Sequence, residues 1–325
     1  MSALLLAVDG GNSKTDVVLL RRDGSVIGTH RGPTVSHQQV GLEEAGRRLR
    51  AQVDALRASV APGADIDAAV LCLAGVDFPA DERALARAHG RSGFGRLALE
   101  NDTIAGLRAG SPTGWGVGVV VGAGINAVGV APGGRRARFA GLGPLSGDRG
   151  GGEELGLEAL GAAVRAGDRR GARTSLERLV PEHFGMRRAI DVTLAMYHGQ
   201  VPERRLEELA AVAVRAARDG DPVALRLLAD LAAECAAFAT AAIRRLSMTR
   251  LEVPVVLSGG VARGAGDLLA DGVQERVRLG ARGAFVVVLH APPVLGAALL
   301  ALDLVAPGDE AAADRARAGI TGARF

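Results

Sequence analysis

Lysine, cysteine, aromatic residues and long uncharged segments are all scarce in this chain of 325 residues. The two cysteines, Cys72 and Cys235, are too few for a disulfide framework or a four-thiolate zinc site. Nine aromatic residues provide little surface for stacking nucleic-acid bases, and the 39 cationic residues are interspersed with 36 acidic ones. No uncharged apolar run reaches the roughly 18 to 20 residues that a bilayer span needs. We therefore expect neither nucleic acid nor a membrane as a partner.

The single lysine, Lys14, is the most unusual feature of the composition. The other 38 cations are arginine, as a GC-rich coding bias would produce, so one lysine in a glycine-rich stretch stands out. Because 48% of the residues are apolar, the chain can build the cores of two domains of ordinary size. Its first residues lack the basic start and long apolar core of a signal peptide, which predicts a cytoplasmic protein.

The first third of the chain has the pattern of an α/β domain. Three strands in a meander are followed by alternating helices and strands, which predicts a mixed sheet covered by helices. A Gly-, Ser- and Pro-containing break at residues 110–114 marks the predicted boundary of this domain. The predicted strands are 3–9, 15–20, 25–31, 68–73 and 97–100, and the predicted helices are 42–60, 81–89 and 103–109.

After this break the same pattern starts again. Strands at 116–121 and 126–131 form a second hairpin that overlies the first at an offset of 113 residues, a weak internal repeat. A helical region follows to about residue 248, and its segment 225–242 suits either a buried helix or the surface of a homodimer. The predicted domains are 1–112 with a returning helix at 292–304, 113–291 with a helical insertion, and a poorly ordered tail at 305–325.

The glycine-rich turn from Gly11 to Thr15 lacks the spacing of a P-loop or a Rossmann fingerprint, and a strand rather than a helix follows it. Such a turn still binds phosphate when successive backbone N–H groups point into one concavity. Lys14 would add a compact cation for the outer phosphates, and Asp9 is placed to hold Mg²⁺ through water. Any one such turn is explained as an ordinary hairpin, whereas three of them favour a nucleotide held between two domains. The three turns contain Gly10-Gly11, Gly122-Ala123-Gly124 and Gly259-Gly260.

These turns carry a resemblance to a known superfamily. The hairpin from Asp9 to Thr15 resembles the first phosphate loop of actin, sugar kinases and heat-shock chaperones, and the two later turns resemble its second phosphate loop and adenosine motif. Together with Glu100-Asn101-Asp102, the loop 141–148 and Gly220-Asp221-Pro222, the set resembles the BadF/BadG and N-acetylglucosamine kinase family over roughly residues 3–304.

This resemblance implies an α/β fold of two ribonuclease H-like (actin-like ATPase) domains, with a nucleotide and sugar cleft between them. It also implies ATP and Mg²⁺ as cofactors and an amino sugar as substrate. The residues then expected at the nucleotide are Gly10, Gly11, Asn12, Ser13, Lys14, Thr15, Gly122, Ala123, Gly124, Ala217, Gly259 and Gly260, with Asp9 at the metal.

Asp102 is the predicted catalytic base. Its position after a strand and at the start of a helix also suits an N-cap, although Asn101 could serve as the cap instead. The resemblance implies that Asp102 accepts the proton of the sugar hydroxyl. It further implies that a glycine-rich loop binds the sugar through Asp148, for which an Asx-turn is the structural alternative. The expected substrate contacts are Ser36, His37, Asn101, Asp102, Asn126, Gly143 and Asp148.

Three departures from the family pattern bear on the substrate. Ser36 stands where the family usually has an asparagine that contacts the amino sugar, in a polar segment, 36–39, that we expect outside the core. Ala123 and Ile125 replace the hydroxyl residues of the second phosphate loop, and Arg149 replaces a common glutamate. The interpretation is an ATP-dependent kinase acting on a hydroxyl, by expectation the 6-hydroxyl, of N-acetylglucosamine or a relative.

Two alternatives remain open at this point. One is an ATPase that activates a dehydratase, which would need exposed thiols for an iron–sulfur cluster, whereas Cys72 and Cys235 both lie in apolar segments that favour burial. The other is a non-catalytic sensor of amino sugars on the same fold, which the altered residues Ala123 and Ile125 suggest.

Overall fold

The structure is a computed structural model that describes residues 4–89, 93–323 and 325. Ala3, the first residue of the predicted first strand, lies outside these described residues. Contacts between Cα atoms divide the chain into two compact units. The first contains 1–118, 128–140 and 289–325, and the second contains 119–127 and 141–288. Among the described helices, none is long and apolar enough to cross a membrane.

The first sheet confirms the predicted meander and crossovers. Its five strands lie in the order β3-β2-β1-β4-β5, with β1, β2 and β3 antiparallel and β4 and β5 parallel to β1. The strands are β1 (Leu4–Gly10), β2 (Lys14–Arg21), β3 (Val26–Pro33), β4 (Ile66–Leu73) and β5 (Arg96–Asn101). The helices interleaved with them are α1 (His37–Val40), α2 (Leu42–Val60), α3 (Pro79–His89) and α4 (Asp102–Gly110).

Both faces of this sheet are buried, which explains the unbroken apolar run of β1. On one face, Leu6 and Val8 pack in a cluster with Leu49 and Val53 of α2. On the other face, Leu5 packs in a second cluster that contains the C-terminal helices described below. Helices on both sides therefore hold the carboxyl ends of β1, β4 and β5 rigidly.

The second sheet repeats the connectivity of the first. Its order is β10-β9-β6-β7-β8, so β6 occupies the place of β1 and β9 the place of β4. The repeat detected between two hairpins therefore extends to a whole five-stranded sheet, and the prediction of an α/β fold built on two such sheets is confirmed. The strands are β6 (Gly116–Val121), β7 (Ile125–Val130), β8 (Arg136–Arg138), β9 (Pro254–Ser258) and β10 (Phe285–Val288).

The helical region between β8 and β9 consists of several short helices. Within it, Glu203–Glu208 is a 3-10 helix that leads directly into an α-helix. The segment 225–242 lies in a longer helix with one face buried along Leu228, Leu231 and Phe238. These helices are α5 (Gly152–Gly167), α6 (Leu176–His183), α7 (Ala189–Tyr197), α8 (Leu209–Arg218) and α9 (Pro222–Arg245). Between β9 and β10 lie α10 (Gly260–Ala265) and α11 (Asp267–Gly280).

The prediction of a poorly ordered tail is wrong. After α12 (Val294–Val305), the segment α13 (Glu310–Thr321) forms a helix whose alanines and Ile320 are buried in the same cluster as Leu5 of β1. Arg315 Nε donates to the carbonyl oxygen of Asp23 at 2.6 Å, which joins α13 to the β2–β3 turn. Alanine gives a weak hydrophobic signal in sequence, yet its small side chain lets a helix pack closely on this hairpin.

Candidate active site

A row of charged side chains crosses the first sheet where its hairpin turns. Asp9 of β1 pairs with Asp16 of β2, and Asp16 pairs with Arg31 of β3. Residues directly opposite each other project from the same face of a sheet, so two carboxylates and a guanidinium lie side by side. Lys14 precedes Asp16 by two residues and projects from that face as well.

Asp16 is the centre of this row. Its side chain is only 1% exposed, and both carboxylate oxygens accept hydrogen bonds from Arg31, at 2.6 Å from Nε and 2.8 Å from Nη2. Lys14 Nζ lies 3.7 Å from Asp16 Oδ2 and remains 47% exposed. Sequence reasoning missed Asp16 and Arg31, although an aspartate inside the apolar strand 15–20 was a detectable signal.

The turn between β1 and β2 is closed by its own backbone and held from one side. Gly11 N donates to Lys14 O at 3.0 Å, and Thr34 Oγ1 donates to Gly11 O at 2.7 Å. The predicted ligands Asn12 and Ser13 are exposed at its tip. Thr15, another predicted nucleotide contact, has a fully buried side chain that accepts a bond from Val35 N. The Thr15 side chain therefore helps to position the turn, and a contact of Thr15 with the nucleotide stays a prediction.

The structure resolves which residue caps α4. Asn101 is the N-cap, and its Oδ1 accepts hydrogen bonds from Thr103 N, at 3.0 Å, and from Thr103 Oγ1. Its amide Nδ2 donates to Asp77 Oδ1 at 2.9 Å. Asn101, predicted as a substrate contact, is therefore buried and committed to the fold. The neighbouring Asp102 is spared the capping role and keeps its carboxylate available for chemistry.

The environment of Asp102 suits a general base. Burial, and next the nearby carboxylate of Asp77, raise the pKa of Asp102 to about 7. A base is most effective when its pKa lies near the working pH. Burial also raises the pKa of Asp9, and the charges of Asp102 and Asp16 raise it further. Ionising these carboxylates together at the carboxyl end of β1 is thus unfavourable, and a bound cation would relieve it.

The segment before α2 contains polar atoms without partners. Ser36 was expected outside the core, but it is 0% exposed, and its Oγ has no hydrogen-bond partner among the described residues. His37, also predicted outside the core, has a buried Nδ1 without a hydrogen-bond partner among the described residues. Its other ring nitrogen, Nε2, lies 3.8 Å from Asp81 Oδ1. An unsatisfied buried polar atom costs about 1 to 3 kcal/mol, so these two positions favour a bound polar ligand.

In the second unit, three glycine segments lie in direct contact. Gly152 N donates to Gly122 O at 2.7 Å, which places the start of α5 against the β6–β7 turn. At Gly151 a Cβ would lie 2.5 Å from the carbonyl carbon of Gly124, and at Gly259 it would collide with Val121 O. Both glycines have φ values, +88° and +100°, that other residues rarely adopt. Two of the three predicted nucleotide-binding turns, those at Gly122–Gly124 and Gly259–Gly260, are therefore neighbours.

The predicted adenosine region lies next to these glycines. Arg218 Nη2 donates to Gly264 O at 2.6 Å, which holds the end of α8 against α10, the helix that starts at Gly260. Ala217 is itself buried in α8, and its carbonyl accepts from Gly220 N at 3.0 Å. The role of Ala217 at the nucleotide remains a prediction.

The predicted sugar loop of this unit is organised around Asp148, which is buried. Asp148 N donates to Gly143 O at 3.0 Å, and Ser146 Oγ donates to the Asp148 carboxylate. Asn126 accepts from Ala127 N through Oδ1 at 2.7 Å and lies beside the backbone of Gly141. Sequence reasoning overlooked Ser146, which orients the carboxylate.

Arg149, the departure next to Asp148, is exposed and has its Nε 3.7 Å from Glu154 Oε1. The guanidinium is thus directed towards a carboxylate on α5.

Both cysteines are fully buried. Burial raises the pKa of the Cys235 thiol to about 12, and it raises the pKa of Cys72 as well. A thiol must ionise and be accessible to bind a metal cluster. These two cysteines therefore do not suit the iron–sulfur cluster that a dehydratase activator requires.

This chain is similar over most of its length to proteins that are named as amino-sugar kinases. An N-acetyl-D-glucosamine kinase of Dictyostelium discoideum is 25% identical over 314 residues, covering 92% of this chain and 98% of that protein. An N-acetylmuramic acid/N-acetylglucosamine kinase of Clostridium acetobutylicum is 27% identical over 261 residues, covering 79% of this chain and 85% of its own.

Solved structures agree as well. A candidate N-acetylglucosamine kinase of Chromobacterium violaceum has 26% identity and a TM-score of 0.67, covering 92% of this chain and 99% of its own. A ROK family glucokinase of Streptomyces griseus, solved with glucose and AMPPNP, shares the fold at 18% identity and a TM-score of 0.55, with coverage of 92% and 99%. Residues 6–301 match the BadF/BadG/BcrA/BcrD ATPase family, and this chain belongs to that family.

Proposed function

We propose that this protein is an ATP-dependent kinase that phosphorylates a hydroxyl of N-acetylglucosamine or a closely related amino sugar. The observation that carries the proposal is Asp102, a partly buried carboxylate that starts α4 without capping it and has a pKa of about 7. Two relatives covering most of this chain are named as kinases of N-acetylglucosamine, which supports the same substrate class.

The reaction would use Asp102 as the acceptor of the hydroxyl proton. As that proton moves to the carboxylate, the sugar oxygen forms a bond to the γ-phosphorus of ATP, and the bond between the γ-phosphorus and the bridging oxygen breaks to release ADP. The protein mainly positions the two reactants and balances charge in such a transfer. Protonated Asp102 then releases its proton to water before the next cycle.

The nucleotide would be held by two kinds of group. Backbone N–H groups of the turns that follow Gly11 and Gly122 suit phosphate oxygens, and Lys14 would supply a positive side chain. Gly259 and Gly260, with α10 behind them, would approach the adenosine. Ala123 and Ile125 do not weaken this assignment, since a backbone cradle needs no hydroxyl side chain.

The carboxylates fit a magnesium ion. Asp9 is partly buried, and Asp102 and Asp16 raise its pKa, so a divalent cation would offset charge that the protein alone leaves crowded. Mg²⁺ keeps several waters and binds through one or two carboxylates, which Asp9 would supply. Asp9 would hold the ion, which would neutralise the phosphates of ATP.

In the first unit, the sugar would contact Ser36 Oγ and His37 Nδ1, which have no hydrogen-bond partner among the described residues. In the second unit, it would contact the Asp148 loop with Gly143 and Asn126, where Ser146 orients the Asp148 carboxylate. The relative from Clostridium acetobutylicum also acts on N-acetylmuramic acid by its name, so that sugar belongs in the substrate screen. We propose the 6-hydroxyl as the acceptor.

The test is an ADP-release assay with ATP and Mg²⁺ over N-acetylglucosamine, glucosamine, N-acetylmuramic acid, glucose and N-acetylmannosamine. We expect the highest kcat/KM with an N-acetylated amino sugar, and mass spectrometry or NMR of the product would identify the phosphorylated oxygen. Binding of sugar without any turnover, by protein that melts cooperatively, would contradict the kinase proposal and favour an amino-sugar sensor.

We also propose that the protein acts as a homodimer in the cytoplasm. Light scattering coupled to size-exclusion chromatography would give the mass in solution, and we expect twice the chain mass of 33.2 kDa. A mass of one chain at micromolar concentration would contradict the dimer.

A further inference from the structure

Lys14 and Arg31 both lie beside the carboxylate of Asp16. Which of the two cations binds Asp16 determines whether the Lys14 ammonium is free to bind a phosphate. Arg31 donates to both oxygens of Asp16 at 2.6 and 2.8 Å, whereas Lys14 Nζ stays 3.7 Å from Oδ2. Charge-assisted bonds from nitrogen to a carboxylate are about 2.7–2.9 Å long. The arginine therefore makes the direct bonds, and the lysine lies outside hydrogen-bond distance.

The burial of Asp16 makes this sharing consequential. Asp16 is 1% exposed, so its charge is poorly screened and needs a cation beside it. Lys14 is a flexible, half-exposed side chain two residues away that would swing onto the carboxylate if Arg31 were absent. A lysine so engaged would have its positive charge neutralised within the protein.

We propose that Arg31 is a positioning residue for phosphate binding: by occupying Asp16, it keeps the Lys14 ammonium available for the nucleotide. The inference rests on the proposed function, because it assigns Lys14 to the phosphates of ATP. Arg31 itself touches no reacting group. It acts through Asp16, one strand away from the phosphate turn.

The side chain of Phe325 supports the arginine from its other face. The Arg31 guanidinium lies 5.3 Å from the centroid of the Phe325 ring, within the range of a cation–π contact. Phe325 follows α13, so the helix that packs on the β2–β3 hairpin also helps to hold Arg31 on Asp16. The C-terminal segment, predicted to be a poorly ordered tail, thereby becomes part of the support of the phosphate turn.

The test is a set of variants read by KM for ATP, KM for the sugar and kcat. In Arg31→Met, we expect KM for ATP to rise about tenfold with KM for the sugar unchanged, since Asp16 then takes Lys14. Adding Asp16→Asn should return KM for ATP to within about twofold of wild type, because the competing carboxylate is gone. Arg57→Met, which removes an arginine from an exposed ion pair with Asp54 on α2, is the matched control and should change none of these constants.

Two further variants separate charge competition from a structural role. In a Lys14→Ala background, Arg31→Met should have no further effect on KM for ATP, because there is no lysine left to sequester. Phe325→Leu should raise KM for ATP only about twofold. Thermal melting of each variant checks folding, and Arg31→Gln, which removes the charge but keeps a hydrogen-bond donor, replaces Arg31→Met if that variant is unstable.

The inference would be overturned if the double variant Asp16→Asn/Arg31→Met were as impaired as Arg31→Met, or if KM for the sugar rose in parallel. Calorimetry with MgADP separates this outcome from failure of the proposed function. If no sugar is phosphorylated but ADP affinity falls in Arg31→Met and recovers in the double variant, the kinase proposal fails and the role of Arg31 stands. If sugar is phosphorylated and Arg31→Met behaves as wild type, the role of Arg31 fails alone.

Discussion

The two hairpins at the start of the two sheets have the same topology and opposite chemistry. In the first, charged side chains form a row across three strands, with Asp16 buried between its cationic neighbours. In the second, the corresponding positions carry no charge. At the offset of 113 residues, Asp9, Lys14 and Asp16 correspond to Gly122, Ala127 and Gly129, and the β8 partner of Gly129 is Ala137.

Under the proposed function, this difference gives one supersecondary unit two ways to hold phosphate. The charged hairpin acts through side chains, so its contribution depends on ionisation and on salt. The uncharged hairpin acts through backbone and close packing, because its turn touches Gly151 and Gly259 where a Cβ has no room. Substitution of the half-exposed Lys14 in the first should therefore alter chemistry with little loss of stability, and substitutions in the second should alter both together.

The largest effect is expected for Asp102→Asn. Loss of the general base should lower kcat by about 10²–10⁴-fold. Because burial disfavours the ionised carboxylate, the folded state gains stability when this group is protonated, and the neutral amide should not lower the melting temperature. The measurement is steady-state kinetics with parallel thermal melting, and Asp54→Asn on the exposed face of α2 is the control. Turnover within a few-fold of wild type would show that Asp102 is not the base.

The next effect concerns the packing that supports the charged hairpin. Ile320→Ala in α13 should lower the free energy of unfolding by about 2–5 kcal/mol, since Ile320 is fully buried in the cluster with Leu5. Chemical denaturation measures this loss, and Leu279→Ala, at a side chain 87% exposed on α11, is the control. An unfolding free energy within 0.5 kcal/mol of wild type, a bound set by the usual range for surface substitutions, would mean that α13 does not pack on the sheet in solution.

A smaller effect is expected for Gly259→Ala in the second unit. The backbone conformation, with φ of +100°, costs a non-glycine residue about 1–3 kcal/mol, and the new Cβ would collide with Val121 O. We expect lower stability and weaker MgADP binding in the same variant. Gly161→Ala within α5, where a Cβ meets nothing within 4 Å, should be neutral or stabilising. If Gly259→Ala had normal stability and normal ADP affinity, the second hairpin would not act through close backbone packing, and the contrast with the first hairpin would be wrong.

The smallest effect is the dependence of the rate on pH. The pKa of Asp102 is raised to about 7, so protonation below that pH removes the base. We expect kcat/KM to fall about tenfold for each pH unit below 7 and to level off above it. A profile with its acidic limb near pH 4, the ordinary range of a carboxyl group, would contradict the environment assigned to Asp102.

Local pattern was enough to predict the elements that form by themselves. The helix predicted at 42–60 has those bounds in the structure because its apolar residues recur at helical spacing, and strand β6 also begins and ends where predicted. Strand β8 was missed because three residues, two of them arginine, carry no apolar alternation. Helix α13 was missed because its buried face is mostly alanine.

Site features that depend on tertiary contacts could not be read in the same way. The positions of Asp9, Lys14 and Asp102 followed from the glycine turns and the ends of strands. The pairing of Asp16 with Arg31 depends on strand register, which sequence alone does not define. The burial of Ser36 depends on how the chain folds around α1. Asn101 rather than Asp102 caps α4, and the Asn101 amide is held by Asp77 from a separate loop, a contact that sequence alone does not show.

The contact between glycines also constrains the order of folding. Gly122 and Gly259 lie more than a hundred residues apart in the chain, yet they are packed together. A Cβ at position 259 would collide with the backbone of Val121 and Gly122. Closing a loop of that length carries a large entropic cost that only the completed sheet repays. We therefore expect the contact between these two turns to form late in folding, once β9 has joined the sheet. A nascent chain that ends before β9 would have the β6–β7 turn but lack Gly259.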